Sequence, residues 1–105
     1  MLESITNKNF EFEDFNRDDY EDTRFVNCNF NGCSFDEAVF TNCHFVDCTM
    51  KFVSARQAMF SQVLFDNCQG AIILRETYWE GAVNSRSGDL HFFIDETPPG
   101  FVNLP

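Results

Sequence analysis

From Phe10 onward, a large apolar or aromatic residue returns at nearly every fifth position: Phe10, Phe15, Tyr20, Phe25, Phe30, Phe35, Phe40, Phe45, Met50, Ala55, Phe60 and Phe65. Ten of these twelve are aromatic, in a chain of 105 residues that holds 14 Phe and 2 Tyr. An α-helix repeats its side-chain directions about every 3.6 residues and a strand every 2. Neither period yields five. A chain that brings every fifth ring to one interior must turn a corner within each five-residue unit.

A second register runs two residues ahead of the first: Thr23, Cys28, Cys33, Ala38, Cys43, Cys48, Val53, Ala58, Val63 and Cys68. All are small or β-branched, and all five cysteines fall here. One large and one small inward residue per unit describes a coil in which four units close a square turn of twenty residues. Residues twenty apart should then stack about 4.8 Å apart, like neighbouring strands. The columns are chemically coherent: Phe25, Phe45, Phe65; Tyr20, Phe40, Phe60; Cys28, Cys48, Cys68; Ala38, Ala58. Corner columns also match, with Asn27, Asp47, Asn67 in one and Asp22, Asn42, Gln62 in another. Amides stacked in this way can hydrogen-bond along the column.

The units Cys28-Asn29-Phe30, Cys33-Ser34-Phe35, Ala38-Val39-Phe40, Cys43-His44-Phe45 and Cys48-Thr49-Met50 resemble the pentapeptide-repeat family. The small-x-Phe frame is strong, and the family's middle Asp or Asn is weakly kept. The resemblance runs from Asn9 to Gly70 and implies an all-β fold, a right-handed quadrilateral β-helix of about three to four coils. Residues 1–20 read as an N-terminal capping coil, because Lys8, Glu13 and Asp18 occupy small inward slots and should not sit in a dry interior. Residues 21–70 are the regular repeat. After Gly70 the five-beat lapses into Ala71-Ile72-Ile73-Leu74, with Tyr78 and Trp79 beyond. Asn84 to Asp89 reads as a loop, Leu90 to Ile94 as a short strand and Pro98-Pro99-Gly100 as an irregular tail. Residues 71–105 therefore read as a non-repeat cap or dimerisation tail, and family members that end this way commonly form homodimers through it.

The spacing Cys28-x4-Cys33-x9-Cys43-x4-Cys48 raises a metal reading, but zinc sites prefer ligand pairs two to four residues apart at a turn. The cysteine spacing is repeat arithmetic, and a buried free Cys behaves as a small hydrophobe. Five cysteines leave at least one unpaired, which favours a reducing, cytoplasmic setting. No basic-then-apolar leader and no apolar run of about 18 residues appears, so no membrane role is expected. His44 and His91 are the only histidines, and adjacent strand positions point opposite ways, so Cys43 and His44 make a poor nucleophile pair. There is no phosphate loop, no G-x-S-x-G elbow and no H-E-x-x-H. The chain reads as a non-enzyme without catalytic residues, cofactor or metal.

Charge remains. The net charge is −10, from 17 acids against 7 bases. Glu11, Glu13, Asp14, Asp18, Asp19, Glu21 and Asp22 place seven carboxylates within twelve residues. Two readings stand. A charged surface keeps a short aromatic-rich solenoid soluble and unstacked. Alternatively, Glu11, Asp14, Asp18, Asp19, Glu21, Asp22, Asp36 and Glu37 present fixed negative charge to a protein that grips nucleic-acid phosphate. The resemblance bears on the choice, since well-understood family members are acidic and bind type II topoisomerases as DNA mimics. On this reading the partner is a nucleic-acid-handling protein, such as a topoisomerase, a restriction enzyme or a CRISPR effector, and the chain does not itself bind nucleic acid. The competing reading is an immunity, antitoxin-like or adaptor protein that docks through apolar faces. Its candidate contact or dimer residues are Val39, Met59, Leu64, Trp79, Phe92 and Phe93, with Phe12 and Phe52 flanking Gly32 in a corner column.

Overall fold

The computed structural model describes residues 3–84, 88–94 and 101–103. They form no helix, and their strands are β1 (Glu3–Thr6), β2 (Asp19–Glu21), β3 (Thr23–Val26), β4 (Val39–Thr41), β5 (His44–Val46), β6 (Thr49–Arg56), β7 (Met59–Ser61), β8 (Leu64–Asp66), β9 (Cys68–Arg75), β10 (Tyr78–Glu80), β11 (Ala82–Asn84), β12 (Gly88–Ile94) and β13 (Phe101–Asn103). Every pairing among them is parallel and joins non-consecutive strands, in the orders β1-β3-β5-β8-β11-β13, β2-β4-β7-β10 and β6-β9-β12. The chain thus winds as a β-solenoid of about four turns.

The twenty-residue register holds through the lower coils. Phe25 pairs with Phe45 and Phe45 with Phe65, while Tyr20, Phe40 and Phe60 align on the next wall. Rings mostly lie parallel along the axis and meet edge to face around it, although Phe15 meets Phe35 of the next coil at 69°. Phe45 lies 5.1 Å from Phe25 at 12° and 5.1 Å from Phe65 at 10°, whereas Phe25 meets Phe30 at 5.3 Å and 82°. Both arrangements suit the ring quadrupole. Together the rings form one continuous, almost fully buried column.

Each wall ends on a residue in the left-handed backbone region, which swings the chain through the corner. Such conformations cost non-glycine residues energy, least for Asn and Asp. Side-chain ladders offset that cost. Asn27 Nδ2 donates to Asn7 Oδ1 (2.8 Å), Asn42 Nδ2 to Asp22 Oδ1 (2.7 Å) and Asn67 Nδ2 to Asp47 Oδ1 (2.7 Å). At other corners a backbone turn closes, as where Cys33 N–H donates to the Phe30 carbonyl at 3.1 Å.

All five thiols are free and point inward. Each donates to a backbone carbonyl of the coil below, as Cys48 Sγ to Phe25 O (3.4 Å), Cys68 Sγ to Phe45 O (3.2 Å) and Cys33 Sγ to Phe10 O (2.8 Å). Burial pushes the Cys28, Cys33 and Cys43 thiols above the ordinary value. A hydrogen bond shared with Cys68 raises Cys48, and burial opposes ionisation of either partner. These are packed, protonated side chains.

The lowest coil is wetter. Lys8, Glu13 and Asp18 are exposed in their inward slots, and Phe10 and Tyr20 are only half-buried, whereas Phe15 is buried.

Above Gly70 the coil continues where the sequence pattern lapses. Strands β6 and β9 pair Met50 with Gly70 but Val53 with Ile72, so Lys51 and Phe52 together oppose the single residue Ala71. The beat then resumes one residue early. Leu74 and Trp79 occupy the inward slots over Ala55 and Phe60, and Glu76 and Gly81 (φ 54° and 63°) make the corners. Gly70 has no side chain because a Cβ there would lie 2.5 Å from the Met50 carbonyl carbon. Strand β12 stacks on β9, and β13 on β11, so the described part of the C-terminal third adds wall to the same tube. The Pro98-Pro99-Gly100 segment and residues 85–87 of the expected loop lie outside the described residues.

Candidate partner-binding surface

The acidic run wraps the lowest coil. Glu11, Glu13, Asp14, Asp18, Asp19, Glu21 and Asp22 are all exposed and spread around successive walls and corners, not along one face. Several are engaged by the scaffold. Asp14 Oδ1 accepts from the Asn16 backbone N–H at 2.7 Å, and Asp22 Oδ1 accepts from Asn42. One coil higher, Asp36 Oδ1 accepts from Ser54 Oγ (2.7 Å) and from the Arg56 backbone N–H (2.9 Å). Glu37 Oε2 accepts from Arg17 Nε at 2.8 Å in an exposed ion pair, of the kind worth at most about 1 kcal/mol. Asp36 and Glu37 line a groove with Arg17 and Arg56, so their negative charge is largely answered locally. Among the described residues Glu11, Asp18, Asp19 and Glu21 make no such bond, and with Asp22 they form the least compensated part of the surface.

The sequence-derived apolar residues do not come together. Val39 is half-buried and Met59 is 43% exposed in one column, continued upward by Tyr78 at 53% exposure. Leu64 sits on the next wall, half-buried above His44 and beneath Val83. Trp79 is a correction: it is 3% exposed and stacks on Phe60 at 4.4 Å, because the early beat turns it inward. Phe92 belongs to the same ring cluster. It is half-buried, edge-on to Phe65 at 5.5 Å and to Trp79 at 5.9 Å. The side chain of Phe93 lies outside the described residues. Sequence reasoning did not select Tyr78, although its place one residue before an inward ring would have revealed it had the displaced beat been recognised. Phe12 and Phe52, noted only as corner residues, are the most exposed large hydrophobics among the described residues, at 77% and 78%.

Among the described residues no group of three or more His, Cys, Asp and Glu side chains is placed to hold a metal ion. The described residues of the site offer a charged rim and a few apolar knobs. The family model for the pentapeptide repeat region matches residues 18–83.

The chain belongs to the pentapeptide-repeat family.

This pentapeptide-repeat protein is also similar in fold to solved structures of QnrB1, described as a plasmid-mediated fluoroquinolone resistance protein. The full-length form matches with a TM-score of 0.67 at 20% identity, over 80% of this chain and 50% of QnrB1. A trypsin-treated variant of QnrB1 matches with a TM-score of 0.57 at 17% identity, over 83% of this chain and 58% of that one. The pentapeptide-repeat protein thus spans about half the length of these structures. Comparison with curated proteins found no match.

Proposed function

We propose that this protein is a non-enzymatic inhibitor that blocks a nucleic-acid-handling protein by offering carboxylates where phosphate would bind. The observation that carries this reading is the lowest coil, where all seven acids of the Glu11–Asp22 run are exposed. Twelve extended residues cover roughly 40 Å at about 3.3 Å each, so this rim carries about one carboxylate per 6 Å. Duplex DNA carries one charge per about 1.7 Å of axis. The rim is therefore too sparse to replace a duplex along its length. It suits a plug, in which a rigid acidic end enters a basic cleft and excludes the nucleic acid. The likeness to QnrB1 supports the solenoid scaffold, and the partner is chosen here by charge. The five buried thiols need no oxidising compartment, and we place the activity in the cytoplasm beside such partners.

The test is a panel of DNA topoisomerase, restriction and CRISPR nuclease assays run with the wild type and an amide variant. That variant combines Asp18→Asn, Asp19→Asn, Glu21→Gln and Asp22→Asn. The Asp22 change keeps an oxygen for Asn42, so the corner ladder survives. Inhibition should weaken steeply between about 50 and 200 mM salt and be lost in the variant, since screening acts over about 8–10 Å. Undiminished inhibition by the amide variant contradicts the proposal.

One observation favours a second reading. The exposed Met59 and Tyr78, stacked above half-buried Val39, could dock an adaptor or immunity partner through apolar contact. Under that reading Met59→Glu abolishes inhibition and the amide variant does not.

A further inference from the structure

Among the described residues, thirteen that are not glycine adopt the left-handed backbone conformation at the corners. Eleven are Asn, Asp, Gln, Glu or Arg, and many of these bond to the residue above or below. The two exceptions are Phe12 (φ 63°) and Phe52 (φ 58°). A bulky side chain at positive φ is a strained choice. It is tolerated in folding when burial or a hydrogen bond offsets it, yet these rings are 77% and 78% exposed and have no polar group to contribute to a ladder. Folding explains neither residue.

Both belong to one corner column, with Gly32 (φ 72°) between them. A Cβ on Gly32 would lie 2.5 Å from Phe12 Cδ1 and 2.6 Å from Cε1, so the Phe12 ring rests across the bare glycine. The ring's position is set by the backbone it covers. Phe52 stands two coils higher, about 10 Å away at the usual strand spacing. It ends the column, because the coil above has only Ala71 opposite Lys51 and Phe52. In sequence the lower ring is flanked by the exposed carboxylates Glu11, Glu13 and Asp14, and the upper one by Lys51.

We propose that the Phe12–Gly32–Phe52 corner is the aromatic anchor of the interface, seating in an apolar recess of a basic protein surface whose arginines meet the carboxylates around Phe12. This rests on the basic-partner reading above and names where the grip is made. Interface energy concentrates in a few aromatic or Arg side chains ringed by polar contacts. A guanidinium gains from lying on a ring face, and more so beside carboxylates. The charge selects the occupant. Another copy carries the same −10, and nucleic acid or an anionic membrane would be repelled.

The test uses two fluorescein-labelled nonapeptides of equal charge, one alternating Arg with Leu and the other alternating Arg with Gly. Fluorescence anisotropy at about 150 mM salt compares the wild type, a Phe12→Asn/Phe52→Asn variant and a seven-site variant that adds Glu11→Gln, Glu13→Gln and Asp14→Asn to the four amide changes. The wild type should bind the Arg-Leu peptide at least tenfold more tightly than the Arg-Gly peptide. The double Asn variant should bring that preference within twofold. Asn is at ease at positive φ, so this variant should melt no lower than the wild type. Gly32→Ala, which displaces the Phe12 ring, should lower the preference in part. An unchanged preference in the double variant, or a marked fall in its melting temperature, overturns the anchor and leaves the basic-partner reading standing. Full binding of both peptides by the seven-site variant overturns that reading, and the anchor with it.

Discussion

The lowest coil and the coils above it share one backbone path but not one interior. In the middle coils the inward slots hold Cys, Ala and Val, and the rings of Phe30, Phe40 and Phe45 are sealed. In the lowest coil the equivalent slots hold Lys8, Glu13 and Asp18, and Phe10 and Tyr20 remain half open. The corner geometry is nonetheless the same in both, with positive φ at Asn7, Phe12, Arg17 and Asp22 below and at Asn27, Glu37 and Asn42 above. Corner formation is thus a local backbone property supported by pairing to the next coil, whereas burial decides which side chains each slot can accept. Charge is tolerated where one neighbour is solvent.

The Asp18 column tests this most severely, since Ala38 occupies the same slot one coil higher and is fully buried. Ala38→Asp should cost about 4 kcal/mol or prevent folding, by burying an unpaired carboxylate. Asp18→Ala should change stability by less than about 0.5 kcal/mol. Urea unfolding of both variants measures the asymmetry, and similar losses would mean that the lowest coil is not a cap. Phe45→Ala should cost about 4 kcal/mol, because its ring is sandwiched between Phe25 and Phe65. Phe10→Ala, with Phe30 on one side only, should cost less than half as much in the same assay.

Alkali provides a third contrast, since every thiol lies above the lowest coil. An unfolded thiol ionises near 9.0 and the buried Cys28, Cys33 and Cys43 thiols later, so the folded state keeps these protons longer. The stability from this source is complete below about pH 9 and is lost as pH rises, by at most about 1.4 kcal/mol per pH unit for each thiol. Thermal melts from about pH 8 to 10.5 should fall more steeply for the wild type than for Cys43→Val. Equal slopes would mean that Cys43 ionises as readily in the folded chain as in the unfolded one. The smallest expected effect is at a corner. Asn42→Ala loses the bond to Asp22 and a residue suited to positive φ, and should cost about 1 kcal/mol by urea titration.

The fold below Gly70 was legible because its signal is periodic and chemically strong. Phe25, Phe45 and Phe65 could hardly share an interior in any other way, and the amide columns followed from the same arithmetic. Above Gly70 the arithmetic misled. One absent residue opposite Lys51 and Phe52 moves the inward positions from Ile72 to Trp79 by one, and Ile72-Ile73-Leu74 carries no small-x-Phe mark to reveal it. Trp79 therefore read as a surface residue when it closes the ring stack. The candidate site was legible in content and not in shape. Composition identified the acids, but only the coil path showed that they encircle one end, and that Asp36 and Glu37 are occupied by Ser54, Arg56 and Arg17. The exposure of Phe12 and Phe52 depends on positive φ at their corners, which no residue type announces.

The residue missing at Ala71 also has a practical meaning for anyone who would redesign this scaffold. Below it the outside surface is indexed in twenties, and immediately above it in nineteens. A loop or epitope grafted by copying coordinates from one panel to the next would emerge on the wrong side of the wall unless the reading frame is moved by one.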